Sequence, residues 1–148
     1  MDSLNRKGQI KRVAARLFRK RGFKATSMRD IAAELSMEAP SLYNHISGKQ
    51  QLLEELLMMI AEHFTAGMHE IRNASLSSIE QLERVIKLHV DITVEHTDAV
   101  SLLTNEWVHL DGEVAQQFVS LKDEYEHDFR KIVLACIKDG MIEEVNVE

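Results

Sequence analysis

Residues 17–53 read LFRKRGFKATSMRDIAAELSMEAPSLYNHISGKQQLL, and this stretch decides the fold. Ser27-Met-Arg-Asp30 has the form of a helix start, in which the serine hydroxyl accepts from the amide three residues on and the acid reaches back. Met28, Ile31, Ala32 and Leu35 then mark the buried side of a short helix. Ser36-Met37-Glu38 makes a turn. Pro40 has no N–H, so it fits the first turn of a further helix, expected over about Ala39–His45 with Leu42 and Ile46 facing inward. Upstream, Ile10, Val13, Ala14, Leu17 and Phe18 recur at helical spacing and predict a helix over about residues 5–21, closed by Gly22. Two short helices joined by a tight turn behind a longer basic helix form a helix-turn-helix. The third helix is expected in the major groove of duplex DNA, with the second crossing the backbone.

Downstream the pattern stays helical. Ser47-Gly-Lys-Gln50 is a second capping-box pattern, and Leu52, Leu53, Leu56, Leu57, Ile60, Phe64, Met68 and Ile71 carry an apolar stripe to about Asn73. A polar break at 75–78 precedes a helix over about 78–95, with Ile79, Leu82, Val85, Ile86 and Val94 on its face. A shorter helix follows over about 99–110, and a last one over about 113–138, closed by Gly140. The expectation is an all-α chain. It divides into a three-helix DNA-binding domain at 1–47 and a helical ligand-binding and dimerisation domain at 48–148. One Pro and six Gly among 148 residues argue against a turn-rich β fold. A single Cys excludes an intrachain disulfide framework and any multi-cysteine zinc site. With Leu134, Ala135 and Ile137 around it, Cys136 reads as a buried inert thiol. No apolar run is long enough for a membrane span. The basic opening MDSLNRKGQIKRVAARLF lacks the apolar stretch of a secretory signal, so a cytoplasmic protein is expected. The fingerprints of nucleophile elbows, P-loops and dinucleotide folds are absent, and no enzyme activity or cofactor is expected.

The net charge of −6 hides a split. Residues 1–50 hold eleven Lys and Arg against four acids, a net of +7, and residues 51–148 carry −13. A cationic front third suits a polyanionic partner; a solvated basic helix face is the plainer alternative.

The quoted stretch resembles the DNA-binding domain of TetR/AcrR-type bacterial repressors. The resemblance rests on Ala14-x-x-Leu-Phe18, Gly22-Phe23, the Thr26–Ala32 block TSMRDIA, Leu42-Tyr-Asn-His45, and Lys49 before an apolar helix. The family's usual Gly-Val-Ser turn is here Ser36-Met37-Glu38. The resemblance implies a homodimer on a palindromic double-stranded operator, with half-sites about 34–36 Å apart or a multiple of that. It implies that Pro40 and Ser41 touch base edges, that Arg29 reaches a base or phosphate, and that Ser27, Tyr43, His45 and Lys49 contact phosphate. Asn44 reads a base or faces solvent. Tyr43 could instead be a wedge between helices, and Lys20 and Arg21 simple solvated charges. Family members typically carry two further helices beyond the point where this chain stops, and those make most of the dimer interface.

In this family a small molecule binds among the C-terminal helices and swings the fourth helix. The candidate pocket residues are His89, Asn105, Glu106, Trp107, His109, Phe118 and Tyr125; the aromatic ones read equally as ordinary core. The Asn105-Glu-Trp-x-His109 stretch resembles a subgroup that senses acyl-CoA or related lipid thioesters, although an acidic domain does not favour a polyanionic head group. A separate alternative is a helical bundle that is structural or binds metal. Glu106/His109 and Glu124/His127 are both Glu-x-x-His, the spacing used by di-iron bundles. The motifs are only 18 residues apart, with Asp111-Gly112 between them, which is short for two bundle helices.

Overall fold

A computed structural model describes residues 2–143, with side chains from residue 6 onward. The last five residues of the second unit lie outside the described residues. Seven α-helices and one 3-10 turn account for the described chain, which contains no strand. The first unit comprises α1 (Asp2–Arg21), α2 (Met28–Glu34) and α3 (Ala39–Leu42). The second comprises α4 (Lys49–Asn73), α5 (Ser78–Glu95), α6 (Thr97–Asn105), the 3-10 turn Trp107–His109 and α7 (Gly112–Lys138).

Local chemistry explains most of the boundaries. Gly22 closes α1 at φ +84°, with its amide donating to the Phe18 carbonyl at 2.8 Å, a left-handed cap that a side chain would strain. At Ser27 the reciprocal box forms: the Asp30 amide donates to Ser27 Oγ, and the Ser27 amide donates to Asp30 Oδ2. Ser77 and Glu80 make the same box at the start of α5. The box expected at Ser47–Gln50 does not form. Gly48 is the N-terminal cap in extended backbone, and the Ser47 amide and hydroxyl donate to Gln51 Oε1 instead, one residue further on. The regular part of α3 ends at Leu42, shorter than expected, and single turns continue to Ile46. Between α2 and α3, Ser36 takes φ +52°, left-handed backbone in a residue that has a Cβ.

One hydrophobic core runs through both units. Ile10, Leu17, Phe18, Ile31, Leu42 and Ile46 pack against Leu52, Leu53 and Leu56 of α4, and the same cluster continues to Phe64, Ile92, Leu102 and Phe118. A smaller cluster of Met68, Ile71, Val85, Ile132 and Cys136 fills the far end of α4, α5 and α7. Cys136 is buried there, as expected. The α5 stripe differs from the expected one. Val85 and Ile92 are buried, whereas Ile86 and Val94 are exposed, because α5 carries two apolar stripes and only one meets α4 and α7. No helix among the described residues is long and apolar enough to cross a membrane.

Candidate nucleic-acid interface and effector cavity

An open concavity runs along the first unit. Its lining includes Lys24 from the α1–α2 loop, Ser27 and Arg29 from the start of α2, Pro40 and Tyr43 from α3 and its C-terminal cap, and Lys49 from the start of α4. Of the sequence candidates, Ser27, Arg29, Pro40, Tyr43 and Lys49 line this surface; Ser41, Asn44 and His45 do not, although Asn44 is exposed beside it. Tyr43 is 54% exposed, so it is not a wedge between helices. Lys24 was not singled out from the sequence, because nothing local distinguishes it from other surface lysines.

Two of the lining residues are already engaged. The Ser27 hydroxyl and amide both donate to Asp30, whose carboxyl is held below its ordinary value first by the Ser27 hydroxyl and then by the Ser27 amide. The Lys49 ammonium donates to the carbonyls of Phe23 (2.8 Å), Thr26 (3.0 Å) and Lys24 (3.3 Å), and sits 4.5 Å from the centre of the Phe23 ring. Its three donors thus fasten the α1–α2 loop to the start of α4. Part of the cationic surplus is likewise spent internally. Lys7 and Lys11 bracket Glu55, which is held below the ordinary carboxylate range because these hydrogen bonds outweigh its desolvation, the largest single influence and an opposing one. Arg16 pairs with Glu34, and Arg19 pairs with Asp98 on α6 at 2.8 Å.

In the second unit a half-open cavity of about 310 Å³ lies between α4, α5, α6 and α7. Phe64, His89, Phe118 and Tyr125 supply aromatic wall, Val100, Leu103 and Leu121 aliphatic wall, and Thr93 and Thr104 hydroxyls. The Phe64 and His89 rings lie 4.7 Å apart. Burial lowers the basicity of His89 and pushes the Tyr125 hydroxyl up to about 12. The pair therefore rests as neutral imidazole and phenol, hydrogen-bonded to each other through His89 Nε2 and the Tyr125 hydroxyl. Lys122 and Glu126 line the cavity as an ion pair at 2.7 Å.

The sequence candidates divide here. His89, Phe118 and Tyr125 line the cavity. Trp107 stands behind it, stacked on Phe118 at 6.1 Å and 22°. Asn105, Glu106 and His109 are outside the lining. The 3-10 turn after Asn105 sends Glu106 and His109 to the side facing α1. There Glu106 Oε2 accepts from the Phe23 amide at 3.1 Å, and the His109 ring stacks on Phe23 at 5.4 Å and 26°. The metal alternative is corrected by the same geometry. Glu106 serves Phe23 and lies 3.5 Å from His109, whereas Glu124 is 2.5 Å from His69 on α4 and His127 is exposed. Among the described residues no three His, Cys, Asp or Glu gather as a metal site.

Comparison with known proteins places this architecture. Residues 10–56 match the family model "Bacterial regulatory proteins, tetR family", and residues 75–148 match "Tetracyclin repressor-like, C-terminal domain". The chain is 28% identical over 136 residues to the HTH-type transcriptional repressor KstR2 of Rhodococcus jostii (strain RHA1), a match covering 92% of this chain. The chain spans 65% of the length of that relative. The structure of the ketosteroid transcriptional regulator KstR2 of Mycobacterium tuberculosis shares the fold, with a TM-score of 0.86 at 22% identity, over 96% of this chain and 74% of that one. The structure of AibR in complex with isovaleryl coenzyme A and operator DNA aligns with a TM-score of 0.78 at 26% identity, over 96% of this chain and 77% of that one. Two family models that between them take in both structural units make the assignment: the chain belongs to the TetR family of bacterial regulatory proteins.

Proposed function

We propose that this chain is a cytoplasmic DNA-binding transcriptional regulator, a repressor that grips a palindromic operator as a homodimer and lets go when a small lipophilic effector fills its cavity. The observation that carries the DNA reading is the open concavity, where exposed Lys24 of the α1–α2 loop, Arg29 of α2 and Tyr43 at the end of α3 share one face. Backbone phosphates supply most of the affinity of such a surface, and the side chains of α3 supply base contacts. The KstR2 relative is named a repressor, and AibR was captured with operator DNA, which supports the same reading.

The effector reading rests on the cavity. Its volume suits a compact apolar group, and the His89–Tyr125 pair offers polarity without charge. Among the described residues its lining holds one cation, Lys122, which is paired with Glu126. An acyl-CoA would therefore place its acyl group inside and its phosphates outside, consistent with isovaleryl coenzyme A on AibR. Release follows if the effector prefers a setting of α4 and α6 that spaces the two recognition helices differently.

The test begins with a duplex selected from a random pool by the wild-type protein. Arg29→Ala and Tyr43→Ala are each expected to weaken binding to it at least fivefold with the thermal midpoint unchanged. Selection of no duplex, or variants that bind like wild type, would overturn the DNA reading. A thermal-shift panel of short acyl-CoA thioesters and uncharged lipophiles addresses the effector. Phe118→Ala is expected to abolish the shift that a hit produces.

A further inference from the structure

We infer that Glu106 and His109 are positioning residues, a latch that holds the Phe23 loop and the first turn of α4 in the setting that grips DNA. This rests on the DNA-binding reading above. Phe23 is held from two directions. On one side Glu106 Oε2 takes its amide hydrogen and the His109 ring stacks on its ring. On the other, Lys49 caps its carbonyl and lies over its ring. Gln50, the next residue of α4, donates to the His109 carbonyl at 3.0 Å and closes the loop of contacts.

The ties to Phe23 cross between the two units, and the Gln50 bond joins α4 to the 3-10 turn within the second. The Glu106 side chain is 17% exposed, so its hydrogen bond to the Phe23 amide is shielded from competing water. Gly22 brings the backbone close: a Cβ there would lie 3.9 Å from Glu106 Oε1. The same 3-10 turn faces the cavity on its other side, where Trp107 stacks on Phe118. Thr104, two residues before Glu106, lines the cavity itself. A shift of Phe118 or of the α6 wall therefore reaches Glu106 and His109 through a turn of a few residues. The Glu-x-x-His spacing puts both side chains on one side of that turn, and this, rather than metal ligation, is what the motif does.

The test uses the full chain carrying Glu106→Ala, Glu106→Gln and His109→Leu. It reads hydrogen exchange at the Phe23 amide, Kd for the selected duplex, and the thermal midpoint. Loss of a shielded, charge-assisted hydrogen bond predicts that E106A exchanges the Phe23 amide about tenfold faster and binds the duplex about tenfold more weakly. E106Q keeps an acceptor oxygen in place and is expected to restore both values to within about threefold of wild type. H109L, which deletes the stacked ring but keeps an apolar filler, is expected to move in the direction of E106A and covers the case in which E106A fails to fold. An unchanged Phe23 amide in E106A, or an exposed amide with unchanged Kd, overturns the latch. If the wild type selects no duplex, the DNA reading fails, and amide exchange still reports whether Glu106 holds Phe23.

Discussion

Lys49→Met separates the role that the sequence implies for this residue from the one that the structure shows. The resemblance implies a phosphate contact, whereas the geometry points its ammonium inward onto three carbonyls and the Phe23 ring. Methionine keeps the length and apolar stem and deletes the charge. A hydrogen bond from a charged donor is worth about 1.5–3 kcal/mol, and a cation over an aromatic ring about 0.5–1 kcal/mol. The three bonds share one ammonium that is partly desolvated even when paired, so they do not add in full. A loss of about 2–3 kcal/mol follows for the set. For a domain of this size that lowers the thermal midpoint by roughly 4–12 °C. The assay pairs a calorimetric melt with duplex titrations at several salt concentrations. A lost phosphate contact would reduce the slope of log K against log salt by about 0.9. The expected result is a lower midpoint with the slope unchanged, while Arg29→Ala reduces the slope and spares the midpoint. An unchanged midpoint with a slope reduced by about one would refute the inward role of Lys49.

Three further outcomes are expected. Ser36→Gly removes the left-handed strain of a residue at φ +52°; the gain of about 1–2 kcal/mol exceeds the added chain entropy of glycine, about 0.4–1 kcal/mol, so the melting midpoint rises by a few degrees. Gly67→Ala destabilises, although alanine favours helix by about 1 kcal/mol, because its Cβ would lie 2.4 Å from Leu88 Cδ1 and 3.2 Å from Cγ; denaturant titration should find the same substitution neutral or stabilising in a Leu88→Ala background. His89 is less basic folded than unfolded because it is desolvated, so the unfolded chain binds the extra proton. Stability is then full above the ordinary histidine value of 6.5 and falls as pH drops from there toward the lower folded value. Urea titrations of His89→Gln over that window should show a flatter dependence than wild type.

What was legible in the sequence was what is local. The Ser27–Asp30 box lies within one turn, and both partners declare themselves at fixed spacing. The Gly22 cap and the α4 stripe, from Leu52 to Ile71, follow from periodicity and one glycine. Where two local solutions compete, sequence could not choose. Ser47 has Gln50 and Gln51 within reach, and the extended backbone of Gly48 selects the second. On α5, Ile86 and Val94 look as buriable as Val85 and Ile92; only the placement of α4 and α7 decides between them. The effector cavity was half legible. His89 on α5 and Phe118 and Tyr125 on α7 line the cavity at helical spacings that the sequence displays. A shared motif with Trp107 points Glu106 and His109 toward the cavity, but a 3-10 turn sends them the other way, to a partner 83 residues from Glu106. Lys49 illustrates the same limit, since its position before an apolar helix gives no sign that three carbonyls from the preceding loop converge on it.

The measurement that bears most directly on the central claim is the salt dependence of binding to the selected duplex, set against an unrelated duplex of equal length. A groove reader with a cationic front third should bind the selected duplex at least a hundredfold tighter, and log K should fall with log salt more steeply than about −3, several phosphates being neutralised. Equal affinity for both duplexes, or affinity indifferent to salt, would contradict the account.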